Sequence, residues 1–556
     1  MTRRWFSMLA IAFATAPIGV PVSAQTEMTT APSVQLRQLF AEWRQFVEPS
    51  DIRVPDYSKA AIARRSAALK QWQHRLARLD RRGWSKADLI DAHLIEAEMN
   101  GFDFNLRVLR PWARDPGFYA NVWAEQSDVP GHEGPNAPVI DLFRFDYPLS
   151  SKDAARLGTM LHTVPPMLEQ ARGTLNDGNA RDLWLYAGRA LHEQSENLAK
   201  LEAGMLAMRT LEGSKTATLA GPDGTALRPA VRAAREATDR FAAWVAAQAP
   251  RKTGPSGIGK ADYDWAMRHV HLLPYDWQAQ VSLLQRELDR VQTSLRLEEV
   301  RNRALPPLDP VDDPAAYRRL SAERARRFSD FLVRTGIVSD RPYYRAAMAA
   351  QTLPYTPPDQ RNFFSLVTAR DPLPLYSHFY HWIDLARLKH EPNADPIRQG
   401  PLLFNIWMER SEGFATAMEE ITMQTGLYDD LPRGRELVWI MLANRAARGL
   451  ASLYVQANQM TLAEAGAFHE RWTPRGWAQA KSDLVGFEQL LYLRQPGYGS
   501  SYVTGKLQFD HLLARLSDRA QLERRPFDAA ETLNAMTRPG IIPVALIEEE
   551  MMDTPR

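Results

Sequence analysis

A chain of 556 residues, 45% hydrophobic and 24% charged, has enough apolar mass for a large core, and its length alone allows about three or four domains. Its 68 Lys and Arg against 66 Asp and Glu leave a net charge of +2, so no long-range field steers it to nucleic acid or an acidic membrane, and nucleic-acid partners are not expected. The absence of cysteine excludes disulfides, thiolate nucleophiles or metal ligands, and a lipid-modified cysteine, so any metal must be held by His, Asp and Glu.

Met1-Thr2-Arg3-Arg4 is a basic start to the apolar run Met8 to Val20, which ends in Val22-Ser23-Ala24 before Gln25. Small residues at Val22 and Ala24 fit a signal-peptidase site, so residues 1–24 read as a signal peptide and the mature chain as periplasmic or secreted. As a membrane anchor the run is too short, and too broken by Pro17 and Pro21, to cross ~30 Å of hydrocarbon. No later segment approaches a transmembrane length of apolar residues, so no membrane span is expected in the mature chain.

From about Gln35 onward apolar residues recur at three- and four-residue spacing, as in Leu69, Trp72, Leu76 and Leu79, or Leu283, Leu284, Leu288 and Val291. That is helical periodicity, and no strand-turn-strand alternation matches it in strength. Ser85 with Asp88 three residues later resembles a capping box with Asp in place of Glu. Pro and Gly cluster at Val129 to Pro138, Gly221 to Thr225, Ala249 to Gly259, Leu305 to Pro314, Thr352 to Pro358 and Glu391 to Pro401. The chain reads as an all-α array with an N-terminal helical part over 25–220, a loop-rich excursion over 221–258 and a site-bearing helical part over 259–556. No internal repeat of fixed period appears, which argues against a solenoid.

Three segments concentrate chemistry: Ser377-His378-Phe379-Tyr380-His381-Trp382-Ile383-Asp384; Ser411-Glu412-Gly413-Phe414 with Glu419; and Pro496-Gly497-Tyr498-Gly499-Ser500-Ser501-Tyr502-Val503-Thr504-Gly505. Farther upstream stand Gly83-Trp84-Ser85-Lys86-Ala87-Asp88, Arg110-Pro111-Trp112 and Ile258-Gly259-Lys260-Ala261-Asp262-Tyr263, and the chain closes with Gly540-Ile541-Ile542-Pro543-Val544-Ala545-Leu546-Ile547-Glu548-Glu549. In this order, over roughly Ser33 to Asp553, the chain resembles the bacterial family called domain of unknown function 885. The resemblance implies a fold similar to helical gluzincin-type metallopeptidases, with a deep central cleft.

In those peptidases one helix supplies two histidine ligands and a general-base glutamate, and a later helix supplies a glutamate ligand. The resemblance carries His378, Glu412 and Glu419 over. It also exposes departures: Phe379 stands where the family has its glutamate, Trp382-Ile383 where it has Pro-Gly, and Asp384 where it has its second histidine. Arg448 is kept, while Ser452 and Gln456 stand where the family resembles Asp-x-x-x-His. Because His378, His381 and Asp384 are three apart, one helix face could present all three. That gives a candidate zinc site of His378, His381 and Glu412, with Asp384 or Glu419 as base; the alternative is a helix of ordinary packing histidines and no metal. Tyr502 is a candidate oxyanion donor or a tethered buried tyrosine, and Arg448 and Lys506 are candidates for holding substrate.

Other groups carry blander readings. His390-Glu391 reads as surface, and His269 with His271 as solvent or capping residues. His132-Glu133 could line a mouth, but loop polarity suffices to explain it. Glu409-Arg410 and the run Arg318 to Arg327 read as solvated helix faces, and Arg494 is a further candidate for holding a substrate carboxylate. Gly499 to Lys506 fails the phosphate-loop pattern, and no Gly-x-Ser-x-Gly elbow appears. Three functions stay open: a divergent hydrolase of peptide or amide bonds, a non-catalytic cleft protein binding a peptide or small molecule, and non-hydrolytic chemistry in the same cleft.

Overall fold

The computed structural model describes residues 32–552, so the signal-peptide segment and the expected mature start at Gln25 lie outside the described residues. Among the described residues the fold is a large all-α array, as the periodicity predicts, and sheet is limited to two small pairs. Val122–Trp123 pairs in parallel with Ile140–Asp141, and Leu206–Thr210 forms an antiparallel hairpin with Gly213–Ala217. No described helix is long and apolar enough to cross a membrane. The capping box forms as read: Ser85 Oγ accepts from Asp88 N, and an Asp88 carboxylate oxygen accepts from Ser85 N.

One expectation is corrected. Residues 221–258 are not a loop-rich excursion, because Gly221–Gln248 is a 28-residue helix. Gly221, at φ +79°, and Pro222 are the start of that helix, where Pro costs nothing since its missing N–H would be unpaired anyway. The excursion is instead the short hairpin just before it.

Two large apolar clusters account for most of the interior. The smaller is built around Gly188–Glu202 and Gly221–Gln248, with Leu191, Leu198, Val231 and Phe241 fully buried. The larger runs from Leu36 to Ile547 and unites the first helix, Pro32–Val47, with the C-terminal helices. Polar ties reinforce that union: Arg44 pairs with Glu98 at 2.5 Å and donates to the Pro401 carbonyl at 3.0 Å, and Arg398 pairs with Asp91 at 2.6 Å. Three long helices at the centre of this larger cluster hold the site. Met408–Gln424 packs along Tyr498–Leu522, and both rest on Pro432–Gln456, which is backed by Trp277–Arg301.

Candidate metal centre

Glycines set how closely these helices approach. A methyl built on Gly413 would lie 2.4 Å from the Gly505 α-carbon, and one on Gly505 would lie 2.2 Å from the Glu409 carbonyl oxygen. Backbone therefore touches backbone where Met408–Gln424 crosses Tyr498–Leu522. A second close approach sets Gly449 against the Gly499 carbonyl, at 2.7 Å from a methyl position. Gly497, at φ +90°, starts the Tyr498–Leu522 helix so that Tyr498 and Tyr502, one turn apart, face Glu412.

The Glu412 carboxylate is the centre of the cluster. Tyr498 and Tyr502 donate to its Oε1 at 2.5 and 3.1 Å. Its Oε2 faces His381 Nε2 at 3.0 Å and His378 Nε2 at 3.6 Å. The other nitrogen of each imidazole faces an oxygen: His378 Nδ1 lies 2.9 Å from Glu419 Oε1 without the angle of a hydrogen bond, and His381 Nδ1 lies 3.2 Å from Ser411 Oγ. Glu412 and Glu419 are seven apart, two helical turns, so one face presents both to His378. A short break at Phe379, with ψ 11°, separates Leu373–His378 from Tyr380–His390.

Against the cost of desolvation, Glu412 and its hydrogen bond push the His381 imidazole up to about 9. Burial opposes ionisation of Glu412 too, yet the charge of His381 and the hydrogen bonds of both histidines hold its carboxyl well below the usual range. Buried arginines pair with the neighbouring carboxylates. Arg445 binds both oxygens of Glu419 at 2.6 and 3.1 Å. Arg448 pairs with Glu488 and lies 4.4 Å from the Tyr502 ring centroid.

The three expected metal ligands come together: one donor atom each from His378, His381 and Glu412 lies within 4.8 Å of the others. Donors about 2.0–2.1 Å from a tetrahedral zinc ion stand about 3.3 Å apart, close to the two separations seen here. Imidazoles with an oxygen placed behind Nδ1 are common ligands of such an ion. The residues fit the ion.

The other expected site residues all have partners within the fold. Asp384 is not poised as a base, because its two oxygens take Arg410 Nη1 and Nη2 at 2.8 and 3.3 Å, and both residues are buried. Glu419 lies against His378 and is bound by Arg445. Tyr502 is tethered to Glu412. Lys506 is held by Glu420 at 3.1 Å and Asp510 at 2.7 Å, and Arg448 by Glu488, which leaves neither for substrate. Arg494 is likewise taken by Asp115 at 2.6 Å. Glu409 and Arg410 are buried, not solvated, and Arg324 in the arginine run pairs with Asp371 at 2.7 Å.

His390 and Glu391 are exposed as read, while His271 is buried, not solvated, and burial pushes it down to about 4. The three segments pack into one another instead of lining a wide cleft, and His378 keeps 10% of its side chain exposed. Tyr498, Ser411 and Arg445 were missed from sequence. The i, i+4 relation of Tyr498 to Tyr502 was the available signal for the first.

Residues 42–349, more than half of the chain, match the family described as bacterial protein of unknown function (DUF885). The chain belongs to this family. The matched stretch ends before His378, so the metal-like cluster of this DUF885 protein lies C-terminal to it. Two solved structures share the fold at 14% identity. One, described as a "putative lipoprotein of unknown function" from Shewanella oneidensis, aligns with TM-score 0.66 over 94% of this chain and 100% of its own. The other, a "putative lipoprotein" from Colwellia psychrerythraea, aligns with TM-score 0.66 over 94% of this chain and 99% of its own. Among curated proteins none matches.

Proposed function

We propose that this DUF885 protein is an exported metal-dependent hydrolase of peptide or amide bonds, with zinc held by His378, His381 and Glu412. The observation that carries the reading is the convergence of two imidazole Nε2 atoms on one Glu412 oxygen, with an oxygen of Glu419 or Ser411 facing each Nδ1. When bound, a zinc ion supplies an activated water and polarises the carbonyl under attack. The chain's own residues do the rest. Tyr498 and Tyr502 fix the Glu412 carboxylate by its far oxygen, Glu419 and Ser411 set the ring orientations, and packed aromatics keep bulk water from the cluster. The basic N-terminal segment ending at Ala24 supports export, and with no cysteine the chain has no site for a thioether-linked lipid.

One observation favours a second reading, a cleft protein that binds a peptide or small molecule without turnover. Phe379 replaces the expected glutamate, and the nearby Asp384 and Glu419 are both paired with buried arginines. Elemental analysis of the purified protein before and after zinc addition, with a broad peptide and amide panel, separates the two. One zinc per chain and turnover, both lost in His378→Ala and in Glu412→Ala, support the hydrolase. Turnover that persists in metal-free His378→Ala overturns it, and absence of any turnover moves the reading to a binding protein.

A further inference from the structure

The segment between the two short parallel strands, residues 124–139, is docked where the Tyr498–Leu522 helix begins. Gly131 lies against Trp407, where a methyl would come within 3.1 Å of the indole nitrogen, and Gly134 lies against the Gln495 side chain. Arg494 donates to the Pro135 carbonyl at 3.4 Å and to Asn136 Oδ1 at 3.2 Å. Trp407 in turn meets Tyr498 edge-on, with centroids 6.0 Å apart, and the Tyr498 hydroxyl sits on Glu412. The segment thus carries Glu133, between Gly131 and Gly134, toward the Tyr498 end of the cluster, within electrostatic reach of Glu412 and His381.

Glu133 is partly buried, and Ser127 Oγ donates to its Oε1 at 2.9 Å. Its Oε2 accepts no hydrogen bond among the described residues. Four other carboxylates near the cluster are occupied: Asp384 by Arg410, Glu419 by Arg445, Glu488 by Arg448, and Glu409 by Thr504 and Gln508. Desolvation first, then the like charges of Asp128 and Glu412, push Glu133 up to about 8. Charge on Glu133 is felt in turn at Tyr498 and Tyr502. A divalent cation beside Glu412 would offset the repulsion and free the carboxylate near neutral pH.

We propose that Glu133 is the proton-transferring carboxyl of the site, supplied from a remote loop in place of the glutamate that position 379 lacks. The inference rests on the metal-hydrolase reading. In the step, the oxygen of water forms a bond to the substrate carbonyl carbon and its proton passes to the Glu133 carboxylate. As the carbon–nitrogen bond breaks, Glu133 returns that proton to the leaving amine, so a water is consumed and an acid and an amine are formed.

The test compares cobalt(II)-loaded wild type with Glu133→Gln and Asp128→Asn. Glu133→Gln is expected to bind one cobalt per chain with unchanged melting temperature, to move the pH midpoint of the visible spectrum by about one unit or more, and to lose ~100-fold or more in turnover. Asp128→Asn should keep turnover within about threefold, and Glu133→Asp should recover part of it. Cobalt bound normally, with pH midpoint and turnover unchanged in Glu133→Gln, overturns the role of Glu133 and leaves the metal site standing. A spectral shift without turnover in wild type also overturns the proton-transfer role. Failure of wild type to bind cobalt at the cluster overturns the metal reading, and this inference with it.

Discussion

Gly413 and Gly505 meet backbone to backbone, and a methyl on either would enter the other helix. This contact is what sets Glu412 beneath Tyr498 and Tyr502. Ala favours helix over Gly by about 1 kcal/mol, but overpacking against rigid backbone costs about 1–3 kcal/mol or more. Gly505→Ala is therefore expected to destabilise the fold by roughly 2 kcal/mol and to loosen the metal cluster. Urea unfolding checks the first effect and zinc titration the second; a Gly505→Ala protein more stable than wild type would contradict the close crossing.

The Glu419–His378 contact at 2.9 Å is expected to orient the imidazole without holding metal itself. Glu419→Gln should lower zinc affinity about 10- to 100-fold and leave one zinc per chain at saturation. Phe379→Ala, by contrast, removes packing against Tyr376 and should spare metal content. Competition with a chromogenic chelator measures both.

Arg410 and Asp384 form a buried ion pair, with the guanidinium also 4.6 Å from the Phe414 ring centroid. Removing one partner strands the other charge away from water, so Arg410→Ala should cost about 3–5 kcal/mol. Replacing both at once, by Arg410→Met with Asp384→Leu, should cost far less than either single truncation. Denaturant melts of the three variants form the test, and a double variant as unstable as the sum of the singles refutes it.

Glu409 carries the clearest pH signature outside the cluster. Burial raises its carboxyl to about 8 from an ordinary value of 4.5, against hydrogen bonds from Thr504 and Gln508. Between those values the folded chain holds a proton that the unfolded chain has released, so stability falls as pH rises through that window and levels off above it. Glu409→Gln, which keeps the amide and hydroxyl contacts, should be near neutral at about pH 5 and gain on wild type by on the order of a few kcal/mol by about pH 9. Parallel melts across pH show it, and a constant difference between the two proteins would refute the assignment.

The all-α class, the capping box at Ser85 and the trio His378, His381 and Glu412 were legible in the sequence. Three- to four-residue spacing marks a helix face, and residues at that spacing share a face wherever the helix packs. The same local logic misread Gly221-Pro222 as a break, since Gly and Pro also mark a helix start. It also assigned free roles to Asp384, Lys506 and Arg448, because spacing says where a side chain points along its own helix and not which partner comes from elsewhere. Arg410 reaches Asp384 across 26 positions and Arg448 reaches Glu488 across 40. Glu133 is the extreme case: a loop residue with no periodicity to read, 279 positions before Glu412. Burial and charge pairing depend on which distant segments meet. The sequence by itself determined the helices and the composition of the donor set. Only the tertiary structure, through the glycine crossings and the long-range arginine pairs, decided which carboxylates are bound by buried arginines.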